Sequence, residues 1–316
     1  MSSTELFRYL AEETAQAVPL EVGELYASFC ASMQQPSGAV VGLFYGSALW
    51  KTPEPDTVWD LYLLVDRYAD VSSKHLLMLA GTLLPPNVYY HTVTRADGSI
   101  LRSKIAVMTL VQFIRHCKGY VLAPQTWARF AQSTRLIAPR DALACEQVVA
   151  ALAQAVLTFH RATAPWLSQA TPIEQFWQLG LTHTYASEFR AERANRQQSL
   201  VDASCEALVA RSNYAIAQGC IRGLSVANGL ITSNYLSAYA QLRQGLQRLR
   251  NTLSKLQHLL RLIKAAFTFV GGMEYLLYKI ERHSGVVLSP GPFARAYPLL
   301  GVWPLVLKAW RARAFR

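Results

Sequence analysis

The chain has 316 residues, 52% of them hydrophobic and only 16% charged, with a net charge of +11. A sizeable core is available, and the charge admits anionic partners: nucleic acid, anionic lipid or phosphorylated substrates. No window reaches about 18 uninterrupted apolar residues, so no transmembrane helix is expected, and the opening MSSTELFRYLAEETAQAV carries acids where a secretory signal has a basic and then an apolar run.

In chain order, residues 4–34 predict helix. Residues 39–46 and 58–66 predict two apolar strands, split by a turn containing Pro53 and Pro55. PNVYYHTV (86–93) predicts a third strand, RADGS (95–99) supplies hairpin-turn chemistry, and ILRSKIAVMTL (100–110) begins with strand-like β-branched content. Near residue 140 Pro139 and Arg140 interrupt the pattern, and from ALACEQVVAALAQAVLTFHRAT to about residue 283 helical spacing dominates. The expected fold is α+β: a mixed sheet with flanking helices over 1–140, a mostly α-helical domain over 141–293, and a basic aromatic tail over 294–316.

One stripe is unusually regular. Leu242, Leu246, Leu249, Leu253, Leu256, Leu260, Ile263, Phe267 and Val270 alternate steps of four and three, a heptad seam. It predicts a long helix packed within the helical domain or against another subunit, so a homo-oligomer through 242–270 is open. Away from the seam stand Arg243, Arg248, Arg250, Lys255, Arg261 and Lys264, and no acid interrupts 241–264. The tail mixes Trp303 and Trp310 with Arg295, Lys308, Arg311, Arg313 and Arg316, a composition suited to an anionic membrane surface or to folding back into the core.

The five cysteines (Cys30, Cys117, Cys145, Cys205, Cys220) are scattered without metal-ligand spacing, and read as reduced thiols of a cytoplasmic protein. The histidines show no HxxxH or HExxH pattern, so zinc is not supported.

The chemistry concentrates in VVGLFYGSALWKTPEPDTVWDLYLLVD, Val40 to Asp66. A strand that ends in Gly46-Ser47 can offer backbone N–H groups and a hydroxyl to a phosphate. Asp60 sits inside an apolar strand, where a carboxylate is costly unless its charge is compensated. A Mg²⁺ between Asp60 and bound phosphates would supply that compensation. Apolar-Gly-Ser, a spacer and an acid on a strand is the layout of the nucleotidyltransferase superfamily. The usual second acid at i+2 is Tyr62 here, and Asp66 would lie roughly 20 Å along an extended strand. A structural turn followed by a capping aspartate accounts for the same residues.

YGSALW, the Asp60–Asp66 spacing in DLYLLVD, then VYYHTV and SKIAV together resemble the mitochondrial-type phosphatidate cytidylyltransferases, or CDP-diacylglycerol synthases, of that superfamily. The Trp127, Arg135 and Pro139 spacing of WARFAQSTRLIAP and the TYASEFR element with Tyr185, Glu188 and Arg190 extend the resemblance over about residues 40–200. Two positions depart from the family: Glu188 where Asp is usual, and Ala138 before Pro139 where Lys is usual.

The resemblance implies transfer of CMP from CTP to phosphatidic acid, with Mg²⁺, by a cytoplasmic enzyme peripheral to the inner face of a membrane. It implies catalytic roles for Asp60, Lys104, Glu188 and Arg190, nucleotide contacts from Gly46, Ser47, Tyr185 and Arg135, and metal ligation by Asp60, Asp66 and Glu188. Taken without it, Lys104 reads as a solvated lysine, Tyr185 as a core tyrosine, Asp66 as a cap, and Glu188 with Arg190 as a surface charge ladder. Two other functions stay open: a nucleotidyltransferase with a non-lipid acceptor, and an inactive nucleotidyltransferase fold kept as a binding protein. Nucleic acid is the less favoured acceptor, because the basic helix lacks interleaved aromatics.

Overall fold

A computed structural model describes residues 4–54, 56–185, 201–217 and 221–268. Glu188, Arg190 and the 294–316 tail lie outside the described residues. The chain is α+β, with a mixed five-stranded sheet and helices on both of its faces.

The predicted helix over 4–34 is two helices, α1 (Thr4–Thr14) and α2 (Leu20–Ala31). Pro19 stands at the break, where it lacks an N–H and its ring would crowd the preceding turn. The three predicted strands form, β1 (Ala39–Tyr45), β2 (Val58–Val65) and β3 (Asn87–Thr94), and the strand-like start of 100–110 continues as a full strand, β4 (Ile100–Thr109). Helix α3 (His75–Leu83) carries the chain from β2 towards β3. Helices α4 (Leu110–Cys117) and α5 (Gln125–Phe130) lead from β4 to β5 (Thr134–Ile137), an edge strand too short for periodicity to mark. The order is β3-β4-β2-β1-β5, parallel only between β2 and β4.

Both faces of this sheet are covered, which is why β1 and β2 read as nearly continuous apolar runs. On one face Val22, Leu25 and Phe29 of α2 join a cluster with Trp59, Leu61, Leu63 and Ile105. On the other, Val148, Leu152, Val156 and Phe159 of α6 (Ala142–Thr163) join one with Leu43, Tyr62, Leu64 and Met108. Helix α6 starts at the predicted change of pattern, capped by Asp141, whose Oδ1 accepts from the Ala144 N–H at 2.7 Å. By length and composition the stretch Ala142–Trp166 could cross a membrane, yet α6 lies buried against the sheet.

The second half is not helical throughout. Beside α7 (Ile173–Tyr185) and α8 (Cys205–Ala217), a small sheet of order β6-β8-β7 is formed by Thr171–Pro172, Leu230–Ser233 and Leu224–Ala227. The β7–β8 turn is Asn228-Gly229, both with positive φ, the chemistry a two-residue hairpin turn requires. Helix α9 (Ser237–Thr268) follows.

Around His160 of α6 the polar groups are paired. Trp177 Nε1 donates to Ser212 Oγ at 2.9 Å, and His160 Nε2 lies 2.9 Å from the same hydroxyl. His160 Nδ1 lies 2.8 Å from the Val156 carbonyl. Donation from Nδ1 to that carbonyl leaves Nε2 to accept from Ser212, so the ring is satisfied while neutral. Burial holds the ring at about 4, against the opposing pull of the Val156 carbonyl. His116 also falls to about 4, through burial and then the nearby Arg261 and Arg115.

Both folded values lie below the value of about 6.5 in an unfolded chain, so the folded state binds fewer protons. The stability they contribute is full above pH 6.5 and is lost as pH falls towards 4. We expect thermal stability to drop between pH 7 and pH 4.5 by roughly 2 kcal/mol per histidine. Calorimetry across that range should give a shallower slope for His116→Gln. An equal slope would mean that His116 does not contribute to the acid limit.

Candidate functional site

The site forms where β1 ends over β2. Ser47–Leu49 make a single 3₁₀ turn after β1, entered through Gly46 with φ of +94°. That left-handed backbone favours glycine. A Cβ placed on Gly46 would stand 3.5 Å from Asp60 Oδ2, so the turn closes directly on the aspartate. Gly46, Ser47 and Asp60 are all half-buried.

The β2–β4 register sets Asp60 beside Lys104, and the β3–β4 register sets Lys104 beside Tyr90. Cross-strand partners point to the same side of a sheet. Asp60, Lys104 and Tyr90 therefore stand in a row, on the face that carries Tyr62, Ala106 and Met108 towards α6. Gly46 and Ser47 close over one end of that row. The structure thus gathers four residues named from the sequence: Gly46, Ser47, Asp60 and Lys104.

It does not gather Asp66 with them. Asp66 follows the far end of β2, where its Oδ2 accepts from Arg140 Nη1 at 2.6 Å with both groups largely exposed. This is an ion pair at the strand's end and not a cap on the next segment, whose 3₁₀ turn is closed by Asp70 accepting from the Arg67 N–H, and an extended strand holds Asp66 three side-chain repeats from Asp60. Arg135 lies on β5 opposite Phe44. Its guanidinium is held by Glu13 at 3.4 Å and by Gln16, at the end of α1. Tyr185 ends α7, its side chain outside the described residues.

Two cations that sequence reasoning missed approach from above the sheet. Arg129 of α5 lies 5.2 Å over the Tyr45 ring, the residue before Gly46, and hydrogen-bonds Tyr62, two places beyond Asp60 on the same face. Arg261 of α9 donates to Gln125 Oε1 at 3.2 Å and acts electrostatically on Tyr62. Burial nevertheless keeps the Tyr62 hydroxyl above its ordinary value, with both arginines opposing it. Arg129 stands two residues after Trp127 in the block already singled out, so its signal was present. Arg261 could only be found through the packing of α9.

Chemically, the turn offers backbone N–H groups and a hydroxyl, Lys104 offers a cation, and Asp60 offers one carboxylate. Among the described residues no group of three or more His, Cys, Asp or Glu could by itself hold a metal. That suits Mg²⁺ only in its usual nucleotide-bound form, with one or two carboxylates and phosphate oxygens as ligands.

If Ser47 bonds phosphate, Ser47→Ala should raise KM for the nucleotide or lower kcat about tenfold, roughly 1.4 kcal/mol, with an unchanged melting temperature. A variant that melts early while keeping its specific activity would return Ser47 to the role of a turn former. No protein-family model matches this chain, and no curated protein matches it.

Proposed function

We propose that the chain is a nucleotidyltransferase, and specifically that it transfers CMP from CTP to phosphatidic acid, giving CDP-diacylglycerol and pyrophosphate. The observation that carries this reading is the closure of the Gly46-Ser47 turn on Asp60, with Lys104 abreast in the sheet. An anion-accepting turn beside a lone carboxylate has a physical explanation when a nucleotide and its metal fill the space between them.

In this reading a phosphate oxygen of the lipid attacks the α-phosphorus of CTP. The new P–O bond forms as the bond from the α-phosphorus to the bridging oxygen breaks, and pyrophosphate leaves with that electron pair. Such chemistry needs positioning and charge neutralisation more than covalent help. The Gly46-Ser47 turn would orient the β- and γ-phosphates, and Lys104 would neutralise one of them. Asp60 would hold Mg²⁺, which when bound offsets charge on the nucleotide oxygens. Glu188 and Arg190, named by resemblance, would complete the site. The net charge of +11 favours approach to an anionic membrane surface.

The test is a thin-layer assay of the purified chain with radiolabelled CTP, Mg²⁺ and phosphatidic acid in detergent. Label should enter the lipid phase with CTP and not with ATP. Label passing only to a soluble phosphate ester would move the reading to a non-lipid acceptor. Nucleotide binding without turnover would make the chain a binding protein.

A further inference from the structure

Helix α9 turns its polar side inward. Gln244 Nε2 donates to the Pro165 carbonyl at 2.7 Å, Asn251 Nδ2 to the His183 carbonyl at 3.0 Å, and Lys264 Nζ to the Leu84 and Pro86 carbonyls at 2.6 and 2.7 Å. The leucines of the heptad seam, Leu242 to Leu260, face the other way, each between 45% and 61% exposed. On the inward side Arg261 reaches the start of α5, where it donates to Gln125 Oε1 at 3.2 Å. There it acts on Tyr62, whose hydroxyl Arg129 of α5 bonds. Phe130, next in the chain, stands edge-on to Tyr62 and to Phe113, with ring centroids 5.0 and 4.9 Å apart, and fixes the end of α5 to the sheet. Two guanidinium groups from separate elements are thus held at one place.

That place is on the opposite side of Asp60 from the Gly46-Ser47 turn. Leu43 pairs with Tyr62 and Phe44 with Leu61, so the antiparallel register carries Tyr45 to Asp60 and the turn beyond it, towards the start of β2. Tyr62 lies the other way, about 7 Å along the strand on the same face.

We propose that Arg129 and Arg261 hold the acceptor of the transferred nucleotidyl group, and that the acceptor is a phosphate monoester. The inference rests on the nucleotidyltransferase reading. In-line displacement puts the attacking oxygen and the leaving pyrophosphate on opposite sides of the α-phosphorus. With the triphosphate tail on the turn and the metal at Asp60, the attacking oxygen enters over Tyr62.

The groups there fit an acceptor that is already an anion. A hydroxyl acceptor must lose a proton, so it needs a base or a second metal ion beside Asp60. The residue two places on is the Tyr62 phenol. Burial keeps its hydroxyl above its ordinary value, against the pull of both arginines, so it neither takes the proton nor brings a charge to a second cation. A phosphate monoester has a second pKa of about 6 and carries its attacking oxyanion at pH 7. It needs cations to hold it. A guanidinium fork bonds two phosphate oxygens at once, with more donors than one phenol can take. Ser254 Oγ and Gln257 Oε1 stand on the same face of α9 as Arg261, at steps of three and four, and both atoms are buried without a hydrogen-bond partner among the described residues. Orphaned polar atoms beside two arginines suit a polar ligand better than an apolar core.

The test follows CMP transfer by the full chain with the acceptor varied: dihexanoyl phosphatidate, glycerol 3-phosphate and dihexanoylglycerol. We expect transfer to a phosphate monoester and none to dihexanoylglycerol, which offers only a hydroxyl. Arg129→Gln and Arg261→Gln should each raise KM for the acceptor about tenfold and change KM for CTP less than about twofold. Arg129→Lys keeps the charge but loses the fork, and should fall between. Should Arg129→Gln lose its circular dichroism, Arg261→Gln carries the same comparison, since α9 keeps its other anchors. A rise in KM for CTP alone, or transfer to dihexanoylglycerol, would overturn the acceptor site while leaving the nucleotidyltransferase reading in place. Unchanged constants in both variants would overturn it likewise. Transfer to glycerol 3-phosphate and not to the phosphatidate would keep the acceptor class and make its source soluble. A parent chain that transfers CMP to none of these acceptors would overturn the reading, and this inference with it.

Discussion

Asp60→Asn should lower the proposed CMP transfer about a hundredfold or more, roughly 2.7 kcal/mol of transition-state stabilisation, and leave the melting temperature within a degree or two. The substitution is nearly isosteric. It removes the negative charge that a hard divalent cation requires, while Gly46 keeps the neighbour its backbone closes on. Asp66→Asn is the internal comparison. Its carboxylate pairs with Arg140 at the surface, where an ion pair contributes about 1 kcal/mol or less, so transfer should be near normal. Radiolabelled CTP turnover by both purified variants decides the matter. Equal losses would move the metal site away from Asp60, and retention of more than a tenth of activity by Asp60→Asn would remove its role as ligand.

The largest stability effect is expected at Glu13→Gln. The Glu13 carboxylate is buried between Arg211, which is almost wholly enclosed, and Arg135 of β5. Arg211 also lies over the Tyr9 ring, whose hydroxyl burial raises above its ordinary value. Removing the one negative charge leaves two guanidinium groups facing each other without compensation. Breaking a buried pair in this way costs about 3–5 kcal/mol, a fall in melting temperature of roughly 10 °C. Pairing Glu13→Gln with Arg211→Met should recover most of the loss, because replacing both partners of a buried pair is far milder than removing one. A full loss in the double variant would mean that packing of the Arg211 stem, not charge, holds this corner.

Much of the sheet was legible because its strands are buried on both faces and bounded by Gly, Pro and Asp-Gly signals. The site's nucleus was legible too, since Gly46-Ser47 and Asp60 are close in sequence and one sheet register suffices to bring Lys104 beside them. Strand β5 was not, because four residues carry no period. The small sheet was hidden for a different reason. Asn228-Gly229 is a strong hairpin signal, but it lies in a region where helical spacing dominated the reading. Arg261 and Glu13 owe their positions to contacts across the fold, and no local pattern encodes those. The seam of α9 was visible as a pattern, but its orientation was not: amphipathicity names an apolar face without saying which way it turns.

The Glu13–Arg211 contact joins residues 198 positions apart, and the core on the α6 side of the sheet draws on α1, β1, β2, β4, α6, α7 and α8 together. On a ribosome the first 140 residues therefore emerge with one face of their sheet only partly covered, by α1, α4 and α5, and with the place of α6 still empty. The acid on α1 must wait longer still, until α8 is synthesised. Long-range closure of this kind is slow and exposes apolar surface to aggregation while it lasts. The order of emergence thus makes the interval between the fourth strand and the eighth helix the one in which the nascent chain has most apolar surface without its partners.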